Sequence, residues 1–296
     1  MQHLKDWFIA TRPWSFSMTA ISVSVGSVLA ASAGPFSWPL YLLTLVGAVA
    51  MHAGTNLIND YYDVRFGLDT PEAATTHYRP HPIVHDLIPA RQVLFAAYAL
   101  FGLAAAIGLY LLLTIGWVVA VIGLIGLLAG IGYTSPPLKY KYLALGELSV
   151  FLMWGPLMVE GAYYVQRHSL SFDAFLISLP FGVLVALVIF ANNIRDIEQD
   201  RLSHVKTVAI LLGQRTAMHA YLLLMALAYI VTLLITAVGV LTPWGLLVLL
   251  SLPLAARLFR QMRSSVPADA DAMTAKLDTA FGTLLVIGLV VQNFLQ

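Results

Sequence analysis

Apolar residues run through this chain in stretches of about twenty, each long enough for a helix to cross ~30 Å of hydrocarbon. Nine transmembrane helices are predicted, at residues 15–33, 38–57, 93–113, 117–133, 145–165, 174–195, 217–238, 243–259 and 277–294. The connections without charge, at residues 34–37, near Ile115 and at 239–242, are only long enough to reverse the chain. The pattern therefore predicts an all-α polytopic membrane protein that forms one bundle, a single domain over residues 1–296.

Lysine and arginine are unevenly distributed over the connections. All of them except Arg167 lie before the first helix, at the ends of even-numbered helices or on the connections that follow those helices. Short loops on the cytoplasmic side of a membrane carry an excess of lysine and arginine. The N-terminus is therefore predicted to be cytoplasmic and the C-terminus external. We expect any active site to lie on the cytoplasmic face, with a bacterial inner membrane as the host.

Composition supports a membrane protein and removes several classes of function. Hydrophobic residues make up 59% of the chain and charged residues 10%, whereas soluble domains contain roughly 45–50% apolar residues. A net charge of +1, with basic residues scattered rather than clustered, predicts no binding to nucleic acid. Because the chain has no cysteine, any metal would be bound by oxygen or histidine.

Two polar segments interrupt the apolar pattern at corresponding places. GTNLINDYYDVRFGLDT follows the second predicted helix, and ANNIRDIEQDRLSHVKT follows the sixth. The aligned residues are Asn59 with Asn192 and Asp63 with Asp196. Both segments thus read NxxxD, and Asp200 extends the second to NxxxDxxxD, where the first has Gly67. The chain carries one polar motif twice.

A spacing of four places the members of each motif on one helical face, where they present a column of oxygen ligands. Carboxylates at membrane depth cost about 2.5–3.5 kcal/mol each and need a compensating partner. Magnesium is suitable because it binds one or two carboxylates together with substrate phosphate oxygens. Helix caps or solvated loop residues are the alternative, and they explain one such segment better than two aligned ones.

Basic residues alternate with these acids. Carboxylates mixed with cations suit a magnesium-bound diphosphate, because the remaining phosphate charge needs arginine or lysine. The cations concerned are Arg65 and Arg79 near the first segment, Arg195, Arg201 and Lys206 near the second, and Lys141 after the fourth helix. Topological bias alone explains many loop cations, so Arg65 and Lys141 are the preferred candidates.

Three histidines, His77, His81 and His85, stand four residues apart and would imitate a metal site on a helix. Pro80 and Pro82 interrupt any such helix. The pattern therefore favours a loop with incidental histidines.

At NDYYDVRFGLD paired with NNIRDIEQD, the chain resembles the UbiA superfamily of intramembrane aromatic prenyltransferases, over essentially its whole length. The stretches TRPWSF, GTNLINDYYD, YTSPPLKYKYLALGE and GPLMVEGAYYVQ are similar to the branch that acts on 1,4-dihydroxy-2-naphthoate and makes menaquinone. The resemblance implies magnesium-dependent transfer of a polyprenyl group from polyprenyl diphosphate to an aromatic acceptor, within a lipid bilayer. For a naphthoate acceptor it implies decarboxylation.

The resemblance also implies roles for individual residues. Magnesium and diphosphate would be held by Asn59, Asp63, Asp196 and Asp200, and phosphate charge would be neutralised by Arg12, Arg65 and Lys141. The further residues expected to bind substrate are Asn56, Asp60, Asp69, Arg79, Tyr133, Asn192, Asn193 and Lys206. Asp69 is the acid near Gly67 that would replace the missing one. Two alternatives stay open: another acceptor, such as 4-hydroxybenzoate or homogentisate, and a cation transporter that uses the same acids.

Overall fold

The computed structural model describes residues 2–73, 76, 79–203 and 205–295. Within these residues the regular secondary structure is helical, apart from an isolated parallel bridge between Leu143 and Lys206. The α-helices, in chain order, are α1 Gln2–Ala10, α2 Phe16–Ser32, α3 Trp38–Arg65, α4 Ala90–Thr114, α5 Trp117–Gly132, α6 Gly146–Leu152, α7 Met158–Arg167, α8 Phe172–Arg195, α9 Ile197–Leu202, α10 Val208–Leu212, α11 Gln214–Ala237, α12 Leu252–Ser264 and α13 Ala270–Leu295. A π-helical turn, Met153–Leu157, joins α6 to α7, and a 3-10 segment, Pro243–Ser251, leads into α12.

Eight helical stretches of the described chain are long and apolar enough to cross a membrane. They are His3–Ser32, Trp38–Arg65, Ala90–Thr114, Gly146–Arg167, Phe172–Arg195, Gln214–Ala237, Pro243–Ser264 and Ala270–Leu295. The predicted all-α, multi-pass fold is therefore confirmed. Helix α5 is also apolar, but its 16 residues fall short of the roughly 17–25 that a span uses. The count of nine spans stays a prediction.

The chain divides into two compact units. The first is Met1–Phe16, Val46–Gly146 and Glu198–Thr207, and the second is Ser17–Leu45, Glu147–Ile197 and Val208–Gln296. Each unit has its own apolar core, which includes Leu57 and Phe101 in the first and Phe181, Tyr221 and Phe281 in the second. The prediction of a single domain over residues 1–296 stays a prediction.

In the second unit, two glycines let α8 approach the turn between α6 and α7. A Cβ atom added to Gly182 would lie 2.9 Å from the Cα atom of Gly155, closer than real Cβ contacts come. Any side chain at position 182 would therefore push the two segments apart. This close approach accompanies a polar contact at the C-terminal end of α8, where Asn193 binds Glu147.

Candidate active site

The first acidic segment lies at the C-terminal end of α3, where Asn59 and Asp63 are both buried. Asn59 Nδ2 donates a hydrogen bond to Asp63 Oδ2 at 2.8 Å, so the two side chains share a helical face as their spacing predicts. Asp63 also accepts from Lys141 Nζ at 2.6 Å and from the Tyr142 hydroxyl at 2.5 Å. A carboxamide, an ammonium group and a hydroxyl thus surround one carboxylate.

Tyr142 is a residue of this cluster that the sequence patterns do not single out. Burial and then the neighbouring Asp63 carboxylate raise the pKa of the Tyr142 hydroxyl above its ordinary value of 10.0. The hydroxyl therefore stays protonated and donates to Asp63. Lys141 Nζ lies 5.9 Å from the ring centroid of Tyr133 and 5.6 Å from that of Tyr142, which places Tyr133 beside the same cation. The only sequence signal for Tyr142 is its place next to Lys141.

The turn after α3 explains why glycine stands at position 67. Gly67 has φ of +73°, its N–H donates to the Val64 carbonyl at 3.1 Å, and the Leu68 N–H donates to the Asp63 carbonyl at 2.8 Å. These two bonds form a Schellman motif, which ends a helix at a left-handed residue, usually glycine. The chain then turns back, and the Asp69 N–H donates to the same carbonyl at 3.2 Å. The helix thus ends before it could present an acid on its next turn, and Asp69 is buried beyond the helix end. That Asp69 replaces this acid stays a prediction.

Asp60 is completely buried and is neutralised by two arginines. The Arg79 guanidinium donates to both carboxylate oxygens, at 2.8 and 3.2 Å, and Arg12 donates to Oδ1. Arg79 is itself buried. In this structure Asp60 therefore anchors the loop that carries Arg79 and the segment that carries Arg12. The substrate-binding roles of these three residues stay predictions.

Asn56 holds the segment that presents Arg12. Its Nδ2 donates to the Thr11 carbonyl at 2.9 Å and to Ser15 Oγ at 3.2 Å. Ser15 Oγ also lies 3.2 Å from the Nε2 atom of His52, one turn earlier on α3. Arg12 adopts a left-handed conformation, with φ of +57°. Asn56, predicted to bind substrate, thus uses its amide nitrogen to hold the backbone before Arg12 and the Ser15 side chain after it.

The second acidic segment begins at the C-terminal end of α8. The helix ends at Arg195, and Asp196 takes a non-helical conformation after it, with φ of −97° and ψ of 12°. Asp200, which is partly buried, lies on the separate helix α9. The expectation that Asn192, Asp196 and Asp200 share one continuous helical face is therefore wrong. Short polar side chains that bind neighbouring groups compete with the helix and favour its end.

Arg195 connects the groups at this helix end. Its guanidinium donates to both oxygens of Asp196, at 2.8 and 2.7 Å, and to Asn192 Oδ1 at 2.6 Å. It also donates to Asp271 Oδ1 at 2.9 Å. Asp271 comes from the first turn of α13, so spacing along the segment gives no signal for it.

Asn193 is buried and points to a different partner. Its Nδ2 donates to Glu147 Oε1 at 2.8 Å. Glu147 lies in the first turn of α6 and is also absent from the motifs. The predicted role of Asn193 in binding substrate stays a prediction.

Arg65 and Lys206, two of the cations predicted to bind substrate, are exposed. The Arg65 guanidinium lies at the end of α3, 3.3 Å from the Tyr61 hydroxyl. The Lys206 backbone pairs with the chain after Lys141, since the Ala144 N–H donates to the Lys206 carbonyl at 2.8 Å. The segment that carries Lys206 therefore runs beside the loop that carries Lys141.

His81 and His85 lie in a loop, as the prolines predict, but His81 is not incidental. It is completely buried, and its Nε2 lies 3.2 Å from Asp69 Oδ2. His85 Nδ1 accepts the backbone N–H of His81 at 2.8 Å. His77 lies outside the described residues. The contact between His81 and Asp69 joins a loop to a helix end, so helical spacing could not reveal it.

Oxygens of both NxxxD pairs already bind protein cations. In the first pair Asp63 binds Lys141 and Asn59 Oδ1 accepts from Arg12 at 3.4 Å. In the second pair Asn192 and Asp196 both bind Arg195. Carboxylate and carboxamide oxygens are the ligands that magnesium prefers. The cations would be left to bind phosphate oxygens. The donor sets therefore fit a magnesium-bound diphosphate.

Comparison with known proteins identifies the family of the chain. Residues 19–285 match the UbiA prenyltransferase family. The 1,4-dihydroxy-2-naphthoate octaprenyltransferase of Bacillus subtilis (strain 168) is 33% identical over 288 residues, 96% of this chain and 92% of that protein. The 2-carboxy-1,4-naphthoquinone phytyltransferase of Synechocystis sp. is 31% identical over 268 residues, 87% and 82% of the two chains.

Solved structures agree on the fold. A UbiA homolog from Archaeoglobus fulgidus, bound to DMAPP and Mg²⁺, is similar with a TM-score of 0.65 at 14% identity, over 95% of this chain and 99% of that one. Sequence and fold lead to the same assignment: the chain belongs to the UbiA prenyltransferase family.

Proposed function

We propose that this protein transfers a polyprenyl group from a polyprenyl diphosphate to 1,4-dihydroxy-2-naphthoate, with loss of carbon dioxide, in menaquinone biosynthesis. Family membership supports prenyl transfer and disfavours the cation transporter. The names of two relatives, a naphthoate octaprenyltransferase and a carboxynaphthoquinone phytyltransferase, support a naphthoate-like acceptor. The observation that carries the proposal is the buried Asp63 carboxylate with Asn59, Lys141 and Tyr142 around it.

The magnesium ligands would be the oxygens of Asn59, Asp63, Asp196 and Asp200. A bound divalent ion supplies charge stabilisation for a departing diphosphate. The Archaeoglobus fulgidus homolog bound to DMAPP and Mg²⁺ supports such an ion. Binding of diphosphate would move Lys141 from Asp63 to phosphate oxygens, where Arg65 and Arg12 join it. Tyr142 keeps donating to Asp63 and so holds that carboxylate in place.

The reaction breaks the allylic carbon–oxygen bond of the diphosphate, and diphosphate leaves with the bonding electrons. The ring carbon that carries the carboxylate attacks the allylic carbon, and loss of carbon dioxide restores aromaticity. Water would consume the allylic cation, so the site must exclude it. The long apolar helices supply that exclusion.

The direct test offers purified protein dihydroxynaphthoate, 4-hydroxybenzoate or homogentisate, each with a labelled polyprenyl diphosphate and magnesium. The product mass reports the acceptor, the chain length and the decarboxylation together. Asp63→Ala and Asp196→Ala should each lower transfer by about 10²–10³-fold, the range for removing a group that stabilises developing charge. Glu198→Gln, whose side chain is 84% exposed, is the matched control. Full activity of both aspartate variants would remove the assignment.

We further propose that the N-terminus is cytoplasmic and the C-terminus external. The chain has no cysteine, so single cysteines can report orientation directly. In spheroplasts, a membrane-impermeant maleimide should label Leu170→Cys, at an exposed position before α8, but not Glu198→Cys. The opposite labelling pattern would reverse the orientation.

A further inference from the structure

Of the two acids beside His81, Asp69 is closer than Asp60. His81 Nε2 lies 3.2 Å from Asp69 Oδ2 and 3.7 Å from Asp60 Oδ1. Only the shorter distance is that of a hydrogen bond. Because the imidazole is completely buried, water does not compete for this contact.

The other ring nitrogen shows where the proton is. The backbone N–H groups of Ile83 and Val84 both donate to His81 Nδ1, at 3.2 and 3.1 Å. Nδ1 must therefore carry a lone pair, and the proton of the imidazole is on Nε2. His81 is thus a hydrogen-bond donor to the Asp69 carboxylate, and its ring is held by its own loop.

Asp60, Asp69 and His81 lie close enough together to share a metal ion, but the hydrogen bonds argue against one. A protonated Nε2 has no lone pair for a metal. Both oxygens of Asp60 already bind the Arg79 guanidinium. A divalent ion would lose its nitrogen ligand and meet a fixed positive charge. The cluster is built to hold a carboxylate, not a cation.

We propose that His81 is a positioning residue that fixes the Asp69 carboxylate at the end of α3. Asp69 would then supply the second acid of the first segment, at the place where the turn at Gly67 removes an acid from the helix. This inference rests on the proposed function, because it takes the first segment to bind magnesium diphosphate. Orienting a carboxylate before binding reduces the ordering cost that the ligand must meet.

Two substitutions separate the two ends of the ring. In His81→Asn, the side-chain oxygen can still accept from the N–H groups two and three residues on, as in an Asx turn, but the donor to Asp69 is lost. In His81→Gln, the longer amide can still donate to Asp69, while the acceptor for Ile83 and Val84 is lost. A purely structural loop residue would be more sensitive to His81→Gln. A positioning residue would be more sensitive to His81→Asn.

The readout is calorimetric binding of inorganic diphosphate with magnesium chloride, which needs neither acceptor nor prenyl chain. We expect His81→Asn to weaken binding about tenfold, equivalent to about 1.4 kcal/mol, and to raise the KM for magnesium with little change in kcat. His81→Gln should remain within about threefold of the parent protein. In an Asp69→Asn background, His81→Asn should add no further loss, because the two residues act through one contact.

Parent-like diphosphate binding by His81→Asn would overturn the proposal, as would an effect additive with that of Asp69→Asn. If His81→Asn does not fold, His81→Gln decides alone, since a tenfold loss there would contradict a donor role. Failure of the proposed function has a different signature. The parent protein would then transfer no prenyl group to any acceptor, whatever the histidine variants bind.

Discussion

Asp60→Asn tests whether a buried ion cluster anchors the loop after α3. The substitution removes the negative charge that faces Arg79 and Arg12. Only 5% of the Arg79 side chain is exposed. Arginine cannot neutralise itself by losing a proton. Breaking a buried pair by removing one partner costs about 3–5 kcal/mol. Each 1.4 kcal/mol changes an equilibrium constant tenfold. The equilibrium constant for opening of the anchored loop should therefore rise about 10²–10³·⁵-fold.

Hydrogen–deuterium exchange of detergent-purified protein measures this opening in a peptide covering residues 79–88. The amides of Ile83 and Val84, which donate to His81, should exchange faster by that factor. Peptides from α11 in the second unit should be unchanged. Glu198→Gln, which breaks an exposed ion pair with Arg201, should leave all peptides unchanged because exposed pairs contribute little. Undiminished protection of 79–88 in Asp60→Asn would refute the anchoring role.

Three further predictions each concern one side chain. Lys141→Met should weaken calorimetric binding of magnesium diphosphate about 10–100-fold, the range for losing a hydrogen bond to a charged group; unchanged binding would remove Lys141 from the site. Tyr142→Phe should lower transfer by a constant factor between about pH 6.5 and 9, because the pKa of the Tyr142 hydroxyl is raised above 10.0. The stabilising donor is then fully present below pH 10 and is lost only above it, and a factor that varies across that window would contradict this. Asp278 is completely buried, and its oxygens accept no hydrogen bond within the described chain. Asp278→Leu should therefore raise the thermal unfolding midpoint measured by tryptophan fluorescence, because a buried carboxyl group without a hydrogen bond destabilises the fold. A lower midpoint would contradict this reasoning.

Local spacing predicted those parts of the site that depend on one helix. Asn59 and Asp63 are joined by a hydrogen bond because both lie on α3, four residues apart. The same reasoning failed for Asp196 and Asp200, because α8 ends at Arg195. A periodic pattern continues through a helix end unless a glycine or proline marks it. Residues 196–212 contain no glycine or proline to mark the end of α8, whereas Gly67 marks the end of α3.

Contacts between distant segments could not be predicted from the pattern. The proline residues correctly indicated a loop around His81, but its burial depends on packing against the end of α3. Glu147 and Asp271 are charged residues in the first turns of helices. An acid is common in the first turn of a helix without any catalytic or binding role, because its negative charge interacts favourably with the helix dipole. Only the fold shows that these acids bind Asn193 and Arg195.

The ion pairs at both helix ends bear on the proposed binding of magnesium and diphosphate. Asp63 is paired with Lys141, and Asp196 with Arg195, so each carboxylate is compensated within its own unit. On the proposed function, magnesium alone would have to displace a protein cation, and diphosphate alone would have to take that cation from its carboxylate. With both bound, the carboxylates would be left to the metal and the cations to phosphate, so that every charge would keep a partner. Each ligand should then strengthen binding of the other by an equal factor, since coupling between two equilibria is reciprocal. Equal magnesium affinity with and without diphosphate would show that the pairs do not exchange partners.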